Sequence, residues 1–282
     1  MGTGAAIGGL TRQGGAAAAA QIAASVRNAA ARTGTDFGYL MAQARVESGL
    51  NPTAKAATSS ARGLYQFTNA TWLDTVRKHG AEHGLGWAAD AIAGGAARAG
   101  SAARATILSL RDNAEAAALM AGEFAQDNAE VLERKLGRAV GATDLYMAHF
   151  LGAGGAAKFL AALATAPGMA AAALLPAAAA ANRGVFYARD GAARSVGEVY
   201  ARFGAKLGVP LTPHSASALS RPLPELEMTP SRRRERVVTP LPLGQVAEST
   251  SPAAVGDAFA STGEVRGDRA RLAYMLLAEL GG

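Results

Sequence analysis

From residue 16 to residue 207 the apolar positions recur at helical spacing, and no strand-rich region appears. Ala16 to Ala31 suits a helix, preceded by a glycine-rich, loose segment over 1–15. Phe37, Leu40, Met41, Ala44 and Ser48 share one face of a second helix, from about Asp36 to Ser48. Thr35 or Asp36 can cap its start, Gly49 is placed to end it and Pro52 forbids continuation. Residues 53–67 read as an irregular loop or short extended segment. Asn69 is expected to cap a helix carrying Trp72, Leu73 and Val76 that ends near Gly80. The glycine-rich stretch from His79 to Gly100 defies assignment. Asp112 with Glu115 resembles a capping box opening the longest helix, with Leu119, Met120, Phe124, Leu132 and Leu136 on its apolar side and Gly137 at its end. Thr143 is expected to cap a helix through Phe150. A turn at Gly152–Gly155, a helix over 156–163, a buried or surface helix near 170–181 and a last helix over Val196–Leu207 complete the body.

The pattern then changes. Eight of the eleven prolines lie between Pro210 and Pro252, and Arg232, Arg233, Arg234 and Arg236 fall among them, so 209–262 reads as a disordered basic linker. A short helix is expected over 263–282, with Leu272, Leu276 and Leu280 on one face. The fold class expected is therefore all-α, with one catalytic-size domain over 16–208. Half the residues are apolar but aromatics are only 6%, which implies helices packed through small side chains. The net charge of +6 suits a polyanionic partner: nucleic acid, an anionic membrane face or an acidic cell-wall polymer. The chain has no cysteine, which excludes disulfides and thiolate metal sites. No stretch reaches the ~18–20 strongly apolar residues of a membrane span. The residues after Met1 make no convincing signal peptide, so an export route is not legible.

Chemistry concentrates around Glu47. It ends the second helix in the run Val46-Glu47-Ser48-Gly49, and Gly63-Leu64-Tyr65-Gln66-Phe67 follows within twenty residues. The last turn of a helix is the negative end of its dipole, and burial there disfavours an ionised carboxylate. A poised acid beside a loop that hydrogen-bonds and stacks on sugar is what a glycan-cleaving enzyme requires.

The pairing of Glu47-Ser48 with Gly63-Leu64-Tyr65-Gln66 resembles the lytic transglycosylase family of lysozyme-like fold. A closer resemblance, over about 20–205, is to the catalytic domain of the peptidoglycan-degrading endolysin of giant Pseudomonas phages and related bacterial proteins. The runs that carry it are Val46-Glu47-Ser48, Thr58-Ser59-Ser60-Ala61, Thr71-Trp72, Thr143-Asp144-Leu145-Tyr146-Met147-Ala148-His149-Phe150-Leu151-Gly152, Val185-Phe186-Tyr187, Asp190-Gly191 and Glu198-Val199-Tyr200. The chain departs from the wider family where Ala-Tyr-Asn-x-Gly is usual. His149, Phe150 and Leu151 stand before Gly152, so Tyr146 or His149 must supply the missing polar contacts.

The resemblance implies cleavage of the MurNAc-β-1,4-GlcNAc bond of peptidoglycan in the cell envelope. Glu47 would be the sole catalytic acid and base, the substrate's N-acetyl group would assist, and a 1,6-anhydro-muramyl product would form. No second carboxylate stands in a partner motif; Asp74, the nearest, falls on an exposed helix face. A hydrolytic muramidase and an inactive wall-binding scaffold are the alternatives. Ser48 is expected to bond the sugar or orient Glu47. Ser60, Tyr65, Gln66, Tyr146 and His149 are further substrate contacts, and Gly63 would allow close approach of chain and glycan. Trp72 and Phe67 read as core, whereas Trp87 could stack on sugar. His79 and His83 stand four apart, but Gly80 and Gly84 argue against a zinc-binding helix, so neither a metal nor a cofactor is expected. The expected partner is the peptidoglycan strand, without nucleic acid, and the protein itself is expected to be a monomer.

Overall fold

The computed structural model describes residues 4–208; the expected linker and terminal helix lie outside them. Eleven α-helices are found among the described residues: α1 (Gly4–Thr33), α2 (Phe37–Ser48), α3 (Asn69–His79), α4 (Gly86–Ala93), α5 (Ala102–Ser109), α6 (Ala114–Leu136), α7 (Ala142–Thr165), α8 (Ala171–Leu174), α9 (Pro176–Ala181), α10 (Arg183–Phe186) and α11 (Val196–Leu207). Two 3₁₀ turns, Gly80–His83 and Leu110–Asp112, link α3 to α4 and α5 to α6. There is no strand among these residues; pairing is limited to isolated bridges. The fold is all-α and lysozyme-like.

The helix expected from Ala16 begins at Gly4. Glycine costs only about 1 kcal/mol per helical position relative to alanine, and Ala5, Ala6, Ile7 and Leu10 lie among the glycines. Three caps fall next to the expected residue. Thr68, not Asn69, accepts from Thr71 N at the start of α3. Asn113, not Asp112, accepts from Ala116 N at the start of α6. At α7 the first turn is closed by Asp144, which accepts from Gly141 N at 3.1 Å, rather than by Thr143. Asp144 is buried and also takes Arg138 Nη1 at 2.7 Å and the Tyr200 hydroxyl at 2.9 Å. This knot ties the start of α7 to α11. The turn expected over Gly152–Gly155 contracts to Gly152 alone, where φ 72 and ψ 155 break the helical path inside α7. α7 is long and apolar enough by composition to cross a bilayer. In this fold it is a core helix, with Met147, Phe159 and Leu160 buried.

α6 is the axis of the body. α1 packs along one side of it, α7 along another, and α11 covers α7. Leu119, Met120 and Leu132 of α6 meet Val26 of α1, Leu40 of α2 and Phe203 of α11 in one continuous core. Much of the interface is small: Ala29, Ala44, Ala117, Ala118, Ala121 and Ala148 are all buried. Such packing brings backbones close. Thr35 Oγ1 donates to the Gly122 carbonyl at 3.1 Å. A Cβ on Gly122 would stand 2.8 Å from Thr33 Cγ2 and 2.9 Å from Thr33 Cβ. Gly122→Ala should therefore cost about 1–3 kcal/mol, the usual penalty of overpacking, although alanine is the better helix former. Urea unfolding measures it; an unchanged or raised midpoint would show that the α1–α6 contact can relax.

Candidate active site

α2 is capped at both ends by local chemistry. Asp36 Oδ1 accepts from Tyr39 N at 2.7 Å, and Gly49, at φ 60, ends the helix in the left-handed region. Gly49 N bonds back to Arg45 O at 2.9 Å and Leu50 N to Ala44 O at 3.3 Å, closing the last turn. Within this rigid element Tyr39, Gln43 and Glu47 follow at intervals of four, hence on one face, and all three are buried.

The Glu47 side chain has 0% exposure. Neither of its oxygens has an aligned hydrogen-bond partner. His149 Nε2 lies 3.4 Å from Oε1, within ion-pair distance. Tyr146 and His149, three apart on α7, present parallel rings with centroids 5.9 Å apart and an 8° interplanar angle. Phe124 of α6 meets the His149 ring edge-on at 6.3 Å. Burial pushes the Tyr146 phenol well above its ordinary value, and the charge of Glu47 and hydrogen bonding toward it add to that effect. Tyr39 is raised by burial, then by the charges of Glu47 and Tyr65; Tyr65 is raised by burial. Gln43 Oε1 and the Tyr65 hydroxyl are also buried without a hydrogen-bond partner, and neither His149 nitrogen has an aligned one. Unpaired buried polar atoms are costly. Their gathering near one carboxyl group makes this the candidate site.

The loop over 54–67 is held beside this carboxyl by its own hydrogen bonds. Gly63 N donates to Ala54 O at 2.8 Å. Gln66, in the left-handed region at φ 49, donates through Nε2 to Gly63 O at 2.9 Å and Ala54 O at 3.2 Å. Ser48 Oγ reaches Leu64 O at 2.8 Å and Ala44 O at 3.0 Å, joining the end of α2 to the loop. Ser60 Oγ accepts from Asn69 N at 3.2 Å. Ser48, Ser60 and Gln66 thus shape the loop with the polar groups expected to meet sugar. Gly63 has two reasons to be glycine. Its φ is 83, and a Cβ would fall on the Arg111 carbonyl, 2.8 Å from its carbon.

Arg111 and Tyr39 were not singled out from the sequence. Arg111 is buried, and its guanidinium donates to Ser60 O at 2.7 Å, Phe67 O at 2.9 Å and Leu108 O at 2.9 Å. Burial, and the charge of Arg62, push it down to about 10, still a cation at neutral pH. Beside it Arg62 grips Asp112 with both Nε, at 2.6 Å, and Nη2. Tyr39 and Gln43 could have been found by counting back from Glu47 in fours. Arg111 has no comparable signal, because its partners are backbone carbonyls. Trp72 is core, with Nε1 bonded to Ile107 O at 2.8 Å, and Phe67 packs edge-on against it at 5.3 Å. Trp87 stands 49% exposed at the start of α4. Asp74 is half-exposed and paired with Arg77 at 2.8 Å and Lys78 at 2.9 Å.

Residues 24–89 match the transglycosylase SLT domain family. The matched stretch runs from within α1 into α4 and contains Glu47 and the loop; Tyr146 and His149 of α7 lie beyond it. It supports a peptidoglycan transglycosylase activity in general, exerted at the cell envelope.

The buried phenols make the site sensitive to alkali. A tyrosine whose folded pKa is raised stays protonated while its unfolded counterpart ionises above about pH 10. Its contribution to stability is therefore complete below pH 10 and falls as pH rises beyond it. Each such phenol adds about −1.4 kcal/mol per pH unit to the slope. Tyr65→Phe should flatten the decline between about pH 10 and 12 by that amount. Denaturant titrations across this range check it; parallel slopes for the two proteins would contradict it.

Proposed function

We propose that this chain is a peptidoglycan lytic transglycosylase that cleaves the MurNAc-β-1,4-GlcNAc bond with Glu47 as general acid and then base. The observation that carries the reading is the complete burial of Glu47, without an aligned hydrogen-bond partner, beside the loop of an SLT-matched segment. Protonated Glu47 gives its proton to the glycosidic oxygen as the C1–O bond breaks, and the GlcNAc side leaves as a neutral alcohol. The carbonyl oxygen of the MurNAc N-acetyl group bonds to C1 and forms an oxazolinium. Glu47, now a carboxylate, takes the proton of the C6 hydroxyl as that oxygen attacks C1 and displaces the N-acetyl oxygen. The product is the 1,6-anhydro sugar, and Glu47 ends protonated as it began. No water and no second carboxylate enters.

The surroundings of Glu47 support this economy. The groups coupled to it are the phenols of Tyr39 and Tyr146 and the His149 imidazole. Asp74 is committed to Arg77 and Lys78. Tyr146 and His149 take the place of the family's Tyr-Asn pair, offering a hydroxyl and a ring nitrogen to the N-acetyl or C6 oxygen. Ser48, Ser60, Gly63 and Gln66 set the loop's shape, so backbone groups of the loop join Tyr65 in meeting the glycan. The likeness to the giant-phage endolysin domain belongs to this reading, as do a peptidoglycan partner and a monomeric enzyme.

Glu47→Gln keeps the size of the side chain but cannot give and retrieve the proton. General acid–base groups contribute about 10²–10⁴-fold, so clearing of a purified cell-wall suspension should fall at least a hundredfold at unchanged melting temperature. Retention of more than a tenth of the wild-type rate would remove Glu47 from this role.

A further inference from the structure

α6 carries a second polar cluster at Glu123, next to the Phe124 that abuts His149. His79, at the end of α3, and Glu82, in the following 3₁₀ turn, converge on it. One ligand atom of each of these three residues lies within 4.8 Å of the others. His79 Nδ1 is 3.4 Å from Glu123 Oε2. Nitrogen and oxygen ligands about 2.0–2.1 Å from a tetrahedral Zn²⁺ stand roughly 3.3–3.4 Å from each other. That pair is thus already spaced as a zinc ion would hold it.

The neighbours orient both groups. His79 Nε2 is 3.1 Å from Asp127 Oδ1. A carboxylate at one ring nitrogen keeps the proton there and turns the other lone pair outward, the usual support of a metal-binding histidine. Asp127 is not itself a ligand, since its other oxygen faces Lys78 Nζ at 3.6 Å. His83 Nε2 meets the second Glu123 oxygen at 2.6 Å. The His83 side chain is only 4% exposed, and its Nδ1 has no partner. One imidazole and two carboxylates suit a zinc-type ion better than Mg²⁺ or Ca²⁺, which prefer all-oxygen sets. The histidine spacing pointed away from a metal because Gly80 and Gly84 interrupt the helix. What spacing could not show is Glu123, forty residues further on.

We propose that His79, Glu82 and Glu123 form a site for a zinc-type divalent cation, with Asp127 and His83 orienting the ligands and water in the remaining position. The ion clips the end of α3 and its 3₁₀ turn to α6, the helix that supports His149 through Phe124. The test uses the full chain, stripped with chelator and titrated with ZnCl₂ by calorimetry and by thermal melting. Expected are one saturable equivalent and a melting temperature that rises with Zn²⁺ but not with equal MgCl₂. Glu82 is exposed, so Glu82→Gln should fold normally and bind at least about tenfold more weakly; Glu123→Gln should lose about a hundredfold or more. Absence of saturable binding up to about 1 mM would overturn the proposal. So would one-to-one binding left intact in Glu82→Gln, which places the ion elsewhere. Should Glu123→Gln unfold, Glu82→Gln decides alone.

Discussion

The Arg111 guanidinium holds the loop over 54–67 from beneath, donating to the carbonyls of Ser60 and Phe67, while its own carbonyl lies against Gly63. A buried cation among backbone acceptors is stable only if every donor finds its mark. It therefore fixes the loop to one conformation. From that follow the positive φ of Gly63 and Gln66, the bonds of Gln66 to Gly63 and Ala54, and the reach of Ser48 to Leu64. The loop in turn lies against the end of α2, next to Glu47. The Arg62–Asp112 pair secures the same junction from the more exposed side.

Enclosure is what the chemistry proposed for Glu47 rests on. In water a carboxyl group is solvated and exchanges its proton freely; Glu47 is instead buried beside the phenols of Tyr39 and Tyr146 and the imidazole of His149. The energetic cost of unpaired polar atoms at one place is carried by the remainder of the fold, above all the close alanine and glycine packing of α1, α2 and α7 on α6. On the proposed function, a glycan bound at Glu47 would recover that cost at the reacting centre, so that stability and activity would draw on the same contacts.

Helices with strong local signals were legible in the sequence. Asp36 and Gly49 bound α2, Gly137 ends α6, and α11 spans Val196–Leu207 as its periodicity predicts. The errors fall where two neighbouring polar residues could each cap and tertiary contacts choose between them. Asp112 is taken by Arg62, which leaves the cap to Asn113. Asp144 is drawn into the knot with Arg138 and Tyr200, so it rather than Thr143 closes the first turn of α7. Glu47, Tyr146 and His149, chosen by motif, do come together in space. The residues missed are those whose partners carry no sequence signature: Arg111, bonded to carbonyls, and Glu123, meeting His79 from a distant helix. Spacing reveals only groups on one element.

The central claim is that a single buried carboxyl completes the reaction without water. Digestion of purified peptidoglycan in H₂¹⁸O, followed by mass spectrometry of the released muropeptides, tests it most directly. The account predicts muramyl ends that carry no ¹⁸O and are one water lighter than their hydrolysed counterparts. Reducing MurNAc ends bearing one ¹⁸O would show that water attacks C1, and would contradict it.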